Sequence, residues 1–211
     1  MINQVLPRSC RAVYVKRLTN CAGARRGEPR CNAFTLIELV LVVGIIIVLA
    51  GLVLSTVGYA RKKGARARAE TEMAALTAAC ENYKADNGVY PSNDDTNNLN
   101  ARINENPSSP SYGQASLWLY KQLSGDSIGN RSPTGKSYMA FKPNMLFPAD
   151  QTQNVQYLQD PFGNSYGYST IQVATQDTTK GYNPTFDLWT TCTLTSSPPS
   201  AADQNQWIKN W

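Results

Sequence analysis

Any chemistry in this chain must be built without histidine, of which its 211 residues contain none. That removes His-dependent triads, His-ligated zinc and the commonest general base. The remaining candidates are few. Glu38 is a lone acid inside an apolar run, and Cys80 and Cys192 are the two thiols beyond residue 33. No nucleophile elbow, phosphate-binding loop, paired-carboxylate motif or metal cluster accompanies them. The pattern points away from an enzyme.

The element that positions Glu38 is the apolar run itself. From Phe34 the sequence reads FTLIELVLVVGIIIVLAGLVLSTVGYA, with no charge after Glu38 until Arg61. A helix rises about 1.5 Å per residue, so the uncharged stretch from Leu39 to Tyr59 covers roughly the 30 Å hydrocarbon thickness of a bilayer. The run is therefore expected to be a membrane-spanning helix. A cleaved secretory signal is the alternative, although its apolar core usually covers only about 7–15 residues. A carboxylate in lipid costs a few kcal/mol unless it is paired. The run holds no cation, but cleavage just before Phe34 would create an α-ammonium there, and a neighbouring copy displaced along the helix axis would bring its own ammonium to Glu38. Gly44, Gly51 and Gly58 recur every seven residues. They either let helix backbones approach closely or reflect the ordinary glycine content of membrane helices.

The charge of +5 is unevenly spread. Residues 1–33 hold seven basic residues (Arg8, Arg11, Lys16, Arg17, Arg25, Arg26 and Arg30) against Glu28 alone, and the rest of the chain is nearly neutral. Without that leader the chain has no electrostatic claim on nucleic acid. Basic groups flank the apolar run equally, so the positive-inside rule gives no orientation. The cluster Arg61, Lys62, Lys63, Arg66 and Arg68 either meets lipid headgroups or forms a solvated helix face, and the solvated face is the reading favoured by the sequence.

Ala33-Phe34-Thr35-Leu36-Ile37-Glu38-Leu39 resembles the processing site of type IV prepilins and of the pseudopilins of type II secretion. The resemblance implies a leader, residues 1–33, that stays cytoplasmic and is cut between Ala33 and Phe34 by a prepilin peptidase/methyltransferase. It further implies N-methylation of Phe34, an assembly role for Glu38, and a chain beyond Tyr59 that faces outward. Ala33 stands where the family usually has glycine, the leader is long, and Ser55 takes the place of a common proline.

The run 61–87 is rich in Ala, Glu, Lys and Arg, and Met73, Leu76, Cys80 and Tyr83 form one apolar stripe at helical spacing. A single helix is expected from about Thr35 to Asp86, with 34–60 as its membrane and assembly half and 61–87 as its amphipathic half. Asn87-Gly88 and Pro91 end it. Residues 83–91, YKADNGVYP, resemble the helix exit of major pseudopilins, with Tyr83 and Tyr90 packing over the turn. Residues 88–211 form the outer domain. Within it, 92–116 reads as a long surface loop, 117–123 as a short helix and 124–154 as irregular chain. Strands are expected from the turn at 160–168 and from 185–190. The segment DPFGNSYGY resembles a pseudopilin element with Phe162 in a tryptophan's place. The fold class is α+β: a pilin-like long helix packed on a small antiparallel sheet.

The ending 202–211 resembles the Asp-Ile-x-Asn-Trp terminus of major pseudopilins, whose neighbouring loop binds calcium. That resemblance offers Asp187, Asp203 and Asn205 as ligands, with Trp207 where an aspartate is usual. Calcium takes six to eight oxygens. Cys80 and Cys192 would either form a disulfide worth about 2–4 kcal/mol or remain buried thiols, with the bridge favoured. Cys10, Cys21 and Cys31 are incidental.

The function implied is a structural subunit of a type II secretion pseudopilus, a single-pass protein of the bacterial inner membrane with a periplasmic domain. Its partners would be further copies of itself, the peptidase, the membrane, the inner-membrane secretion platform and minor pseudopilins. A type IV pilus subunit and a membrane-anchored binding or enzymatic domain are the alternatives.

Overall fold

The computed structural model describes residues 34–103, 106–193 and 200–211. The leader, with Ala33, Cys10, Cys21 and Cys31, lies outside the described residues. The chain divides into two units after Val48.

In the first unit the described chain enters helix α1, Leu36–Asn87, whose 52 residues agree with the expected long helix to within a residue at each end. Every described side chain up to Val48 is exposed. Nothing among the described residues covers this Leu, Ile and Val; the segment is apolar and long enough to cross a membrane.

In the second unit α1 changes character. Leu49 to Leu54 remain exposed, but Ala69, Met73, Leu76, Ala79 and Cys80 are buried on one stripe. That stripe packs with Leu119, Leu123, Tyr166, Tyr168, Phe186 and Leu188 into the main core. The stripe ends where α1 stops: Asn87 donates to the Tyr83 carbonyl at 2.9 Å, and Gly88 takes a left-handed φ of 77°, which a side chain would resist.

The region 92–116 corrects the sequence expectation, because it is not one long loop. Helix α2, Asp94–Asn98, is set by a capping box in which Thr96 N donates to Asn93 Oδ1 and Asn93 N to Thr96 Oγ1, both at 3.0 Å. Helix α3 is Pro110–Ser124, more than twice the expected length. Pro110 opens it, since a missing N–H costs nothing in a first turn. Tyr112, Ala115, Ser116, Leu119, Tyr120 and Leu123 then bury one face. The periodicity was present but carried by Tyr, Ala and Ser, which do not read as a hydrophobic stripe.

The stretch 124–154 also holds more order than expected: a 3₁₀ turn at Pro143–Met145 leads into β1, Leu146–Phe147, paired antiparallel with β2, Tyr157–Leu158. The expected sheet is present. It comprises β3, Gly167–Ser169, central β4, Asp187–Thr190, and β5, Ile208–Lys209, all antiparallel. Two short helices, α4, Ile171–Thr175, and α5, Ala201–Gln204, complete the elements. Asn210 ties the sheet at its end: its Oδ1 accepts from Leu188 N at 2.9 Å and its Nδ2 donates to Phe186 O at 3.1 Å. Behind β4, Trp189 lies in a second core with Leu99, Tyr112, Ala115 and Trp207. Gly167 is there because Trp189 lies against its backbone, and a Cβ would fall within the indole.

Candidate functional site

Phe34 is 86% exposed and Glu38 is exposed beside it. Glu38 is nevertheless not without a local partner. Its Oε2 accepts from the Thr35 amide at 2.9 Å and from the Thr35 hydroxyl at 2.8 Å, and Glu38 N donates back to Thr35 Oγ1 at 3.4 Å. This reciprocal pair is a capping box, Thr-x-x-Glu, which satisfies amides at the start of α1. The motif was legible in Thr35-Leu36-Ile37-Glu38, and it gives the acid a second role beside charge pairing. These bonds come from neutral donors, so the box orients the carboxylate without neutralising it. Among the described residues, no Lys or Arg precedes Arg61. Ala33, the other side of the expected scissile bond, lies outside the described residues.

A built Cβ at Gly44, Gly51 or Gly58 meets nothing within 4 Å. The glycines therefore serve no packing inside the chain. Close approach by another helix remains one explanation for them, and ordinary glycine content the other.

The helix exit gathers aromatic side chains. Tyr83 meets Tyr138 edge-on at 5.2 Å between centroids and donates to Gln122 Oε1 at 2.9 Å. Tyr90 packs on Phe186 at 4.9 Å and donates to Glu81, while Lys84 lies 4.4 Å over its ring. A polar network that the sequence did not disclose lies farther up α1. Glu72, 8% exposed, accepts from Arg68 Nε at 2.7 Å and from Tyr166 Oη at 2.8 Å. With its amide oxygen turned to the guanidinium, Asn144 accepts from Arg68 at 2.9 and 2.8 Å. The buried carboxylate thus joins α1 to the chain just before β3. Only the i,i+4 spacing of Arg68 and Glu72 hinted at it.

The expected disulfide is not formed. Cys80 and Cys192 are both free, buried thiols. Cys80 sits on the apolar stripe, fully enclosed, while the Tyr168 hydroxyl donates to Pro91 O at 2.8 Å. The Cys192 backbone is held separately: its φ is 52° and its carbonyl accepts from Asn164 Nδ2 at 2.6 Å. Both thiols belong to the main core. Burial pushes both thiol pKa values up, which keeps them protonated and unreactive.

Asp187 and Asp203 do not assemble a calcium cage either. Asp187 Oδ2 accepts from Tyr182 N at 2.9 Å and Oδ1 from Asn183 N at 2.8 Å, so backbone donors face both oxygens. Burial raises its pKa, against these amides and the nearby Arg102 charge. Arg102 also takes neighbouring carbonyls: Nε donates to Gly181 O and Nη2 to Thr178 O, and the guanidinium stacks 4.5 Å over Tyr182. Asp203 Oδ2 accepts from Ser200 N at 3.0 Å and Ser200 Oγ at 2.8 Å. Asn205 is exposed. No group of three acidic or thiol residues converges among the described residues.

A cleft of about 390 Å³ is lined by Pro107, Gln114, Gln156, Tyr157, Asn164 and Ser165 among others, and its lining carries no carboxylate, thiol or amine. Comparison with protein-family models, with curated proteins and with solved structures finds no match to this chain.

Proposed function

We propose that this chain is a structural subunit that is cut before Phe34 and polymerises through the N-terminal half of α1 into a pseudopilus of the type II secretion kind. In that reading it is held in the bacterial inner membrane until assembly, with its domain in the periplasm. The observation that carries the proposal is Glu38: an acid in an exposed apolar helix that the described residues supply with hydrogen bonds but with no cation. In a filament, the α-ammonium of a neighbouring copy supplies that cation. The exposed apolar surface from Leu36 to Leu54 would then bury against other copies of itself, which makes lipid and filament two interchangeable environments for one helix.

The capping box determines how this is tested. Glu38→Gln retains a side chain that completes the box but removes the charge, while Thr35→Val breaks the box and keeps the charge. Under the proposal, Glu38→Gln abolishes filaments in an assembly assay while the protein stays membrane-inserted, and Thr35→Val reduces them only modestly. Normal filaments from Glu38→Gln, or equal losses from both variants, would overturn the charge-pairing account. Mass spectrometry of the mature protein is expected to find N-methylated Phe34 as its first residue.

A further inference from the structure

The basic cluster 61–68 separates into two groups. Arg66 donates to Gln206 O at 2.9 Å and pairs with Glu70 at 3.2 Å, and Arg68 belongs to the Glu72 network. Both are used by the domain. Arg61, Lys62 and Lys63 are exposed and form no hydrogen bond or ion pair among the described residues. They begin two residues after Tyr59, the end of the uncharged run, and no acid lies between Glu38 and Glu70. The cleft that Lys62 shares with Arg66, Phe162, Cys192, Thr193 and Gln206 contains no acid either.

We propose that Arg61, Lys62 and Lys63 form a collar that binds the anionic headgroups of phospholipids where α1 leaves the membrane. This rests on the reading of the apolar half as membrane-spanning. Successive helical residues turn by about 100°, so three in a row direct their charges around more than half of the helix circumference. A collar suits a ring of headgroups surrounding a helix, whereas an ion pair with one partner needs only one face. Long Lys and Arg stems can lie along the apolar end of the run while their heads reach the phosphates. Cut before Phe34, the chain retains no basic residue on the other side of the run. The collar is then its cluster of basic side chains beside the membrane surface and sets the depth at which the subunit waits.

The test uses the processed chain, beginning at Phe34, in nanodiscs of equal phosphatidylglycerol and phosphatidylcholine, with native mass spectrometry of the lipids that stay bound. Wild type is expected to enrich phosphatidylglycerol about fivefold or more, given that each cation near an anionic surface counts measurably. Arg61→Gln/Lys62→Gln/Lys63→Gln should fall to the bulk ratio. Lys121→Gln/Lys142→Gln/Lys209→Gln, which removes the same charge from the domain, should not. Enrichment that survives the collar variant, or that both triple variants lose alike, overturns the proposal. Alkaline carbonate extraction of membranes separates the two levels: release of wild type into the supernatant refutes the membrane-spanning reading itself, whereas retention with no lipid selectivity refutes the collar alone.

Discussion

From Leu36 to Leu54, helix α1 exposes Leu, Ile and Val on every side, whereas from Ala69 to Tyr83 it buries one stripe and leaves the other faces polar. Both stretches are helical and both contain enough apolar residues to drive association. They differ in how those residues are arranged. A stripe at 3-4 spacing has a definite partner, here the core built from α3 and the β3-β4-β5 sheet. An all-round apolar surface has no preferred face, so it can serve lipid and sister helices in turn. Specific packing in this chain is confined to the half where the pattern is one-sided.

The sharpest way to break that comparison is a matched pair of truncations. Leu76→Ala, in the fully enclosed stripe, should cost the domain roughly 3 kcal/mol by denaturant unfolding of the full chain in detergent. Leu41→Ala, in the exposed run, should leave the same transition unchanged. Equal effects would mean that the two halves are not independent in the way described. Next in size is Gly167→Ala, whose methyl must displace Trp189; overpacking of this kind costs about 2–3 kcal/mol and should appear as a lower melting temperature.

Tyr166→Phe tests the polar contact between the stripe and the sheet. It removes one donor from the buried Glu72 carboxylate, for an expected loss of about 1–2 kcal/mol in the same unfolding assay. A smaller effect concerns pH. Burial pushes the Asp126 pKa up, but amide donors from Gly129, Arg131 and Asn130 and the Tyr120 hydroxyl outweigh it and hold the value below the usual range. A depressed carboxylate stabilises the fold above its unfolded pKa and loses that contribution as pH falls through the folded value. The stability gap between wild type and Asp126→Asn should therefore close as pH drops below about 4. Smallest of all, a calcium chelator should leave the melting temperature of wild type unchanged, because Arg102 already ties the loop beside Asp187. Arg102→Gln should lower it by a few degrees.

The legible and illegible parts of the sequence follow the same division. The long helix, its change of character and its Asn87-Gly88 stop could be read residue by residue, because each depends on neighbours within a turn. The capping box of Thr35 and Glu38 was equally local. Helix α3 was misread because its buried face is made of Tyr, Ala and Ser, whose burial depends on what arrives from elsewhere in the chain. The calcium set was carried over from a resemblance and the disulfide from two thiols on the outward side; in the structure Cys80 and Cys192 are free and buried, and backbone amides face the Asp187 oxygens.

The sequence by itself determined that one helix would carry an uncovered apolar half and a striped half, and that a single acid would sit near the start of the first. Periodicity and charge are properties of the chain alone, and a helix expresses them over a few residues. Only the tertiary structure decided which polar groups were already spoken for: Glu72 by Arg68 and Tyr166, Asp187 by backbone amides, Arg66 by Gln206, and Arg61, Lys62 and Lys63 by nothing described. Partners separated by many residues meet only after the core has closed. Until then, a structural charge and a charge left over for binding look alike.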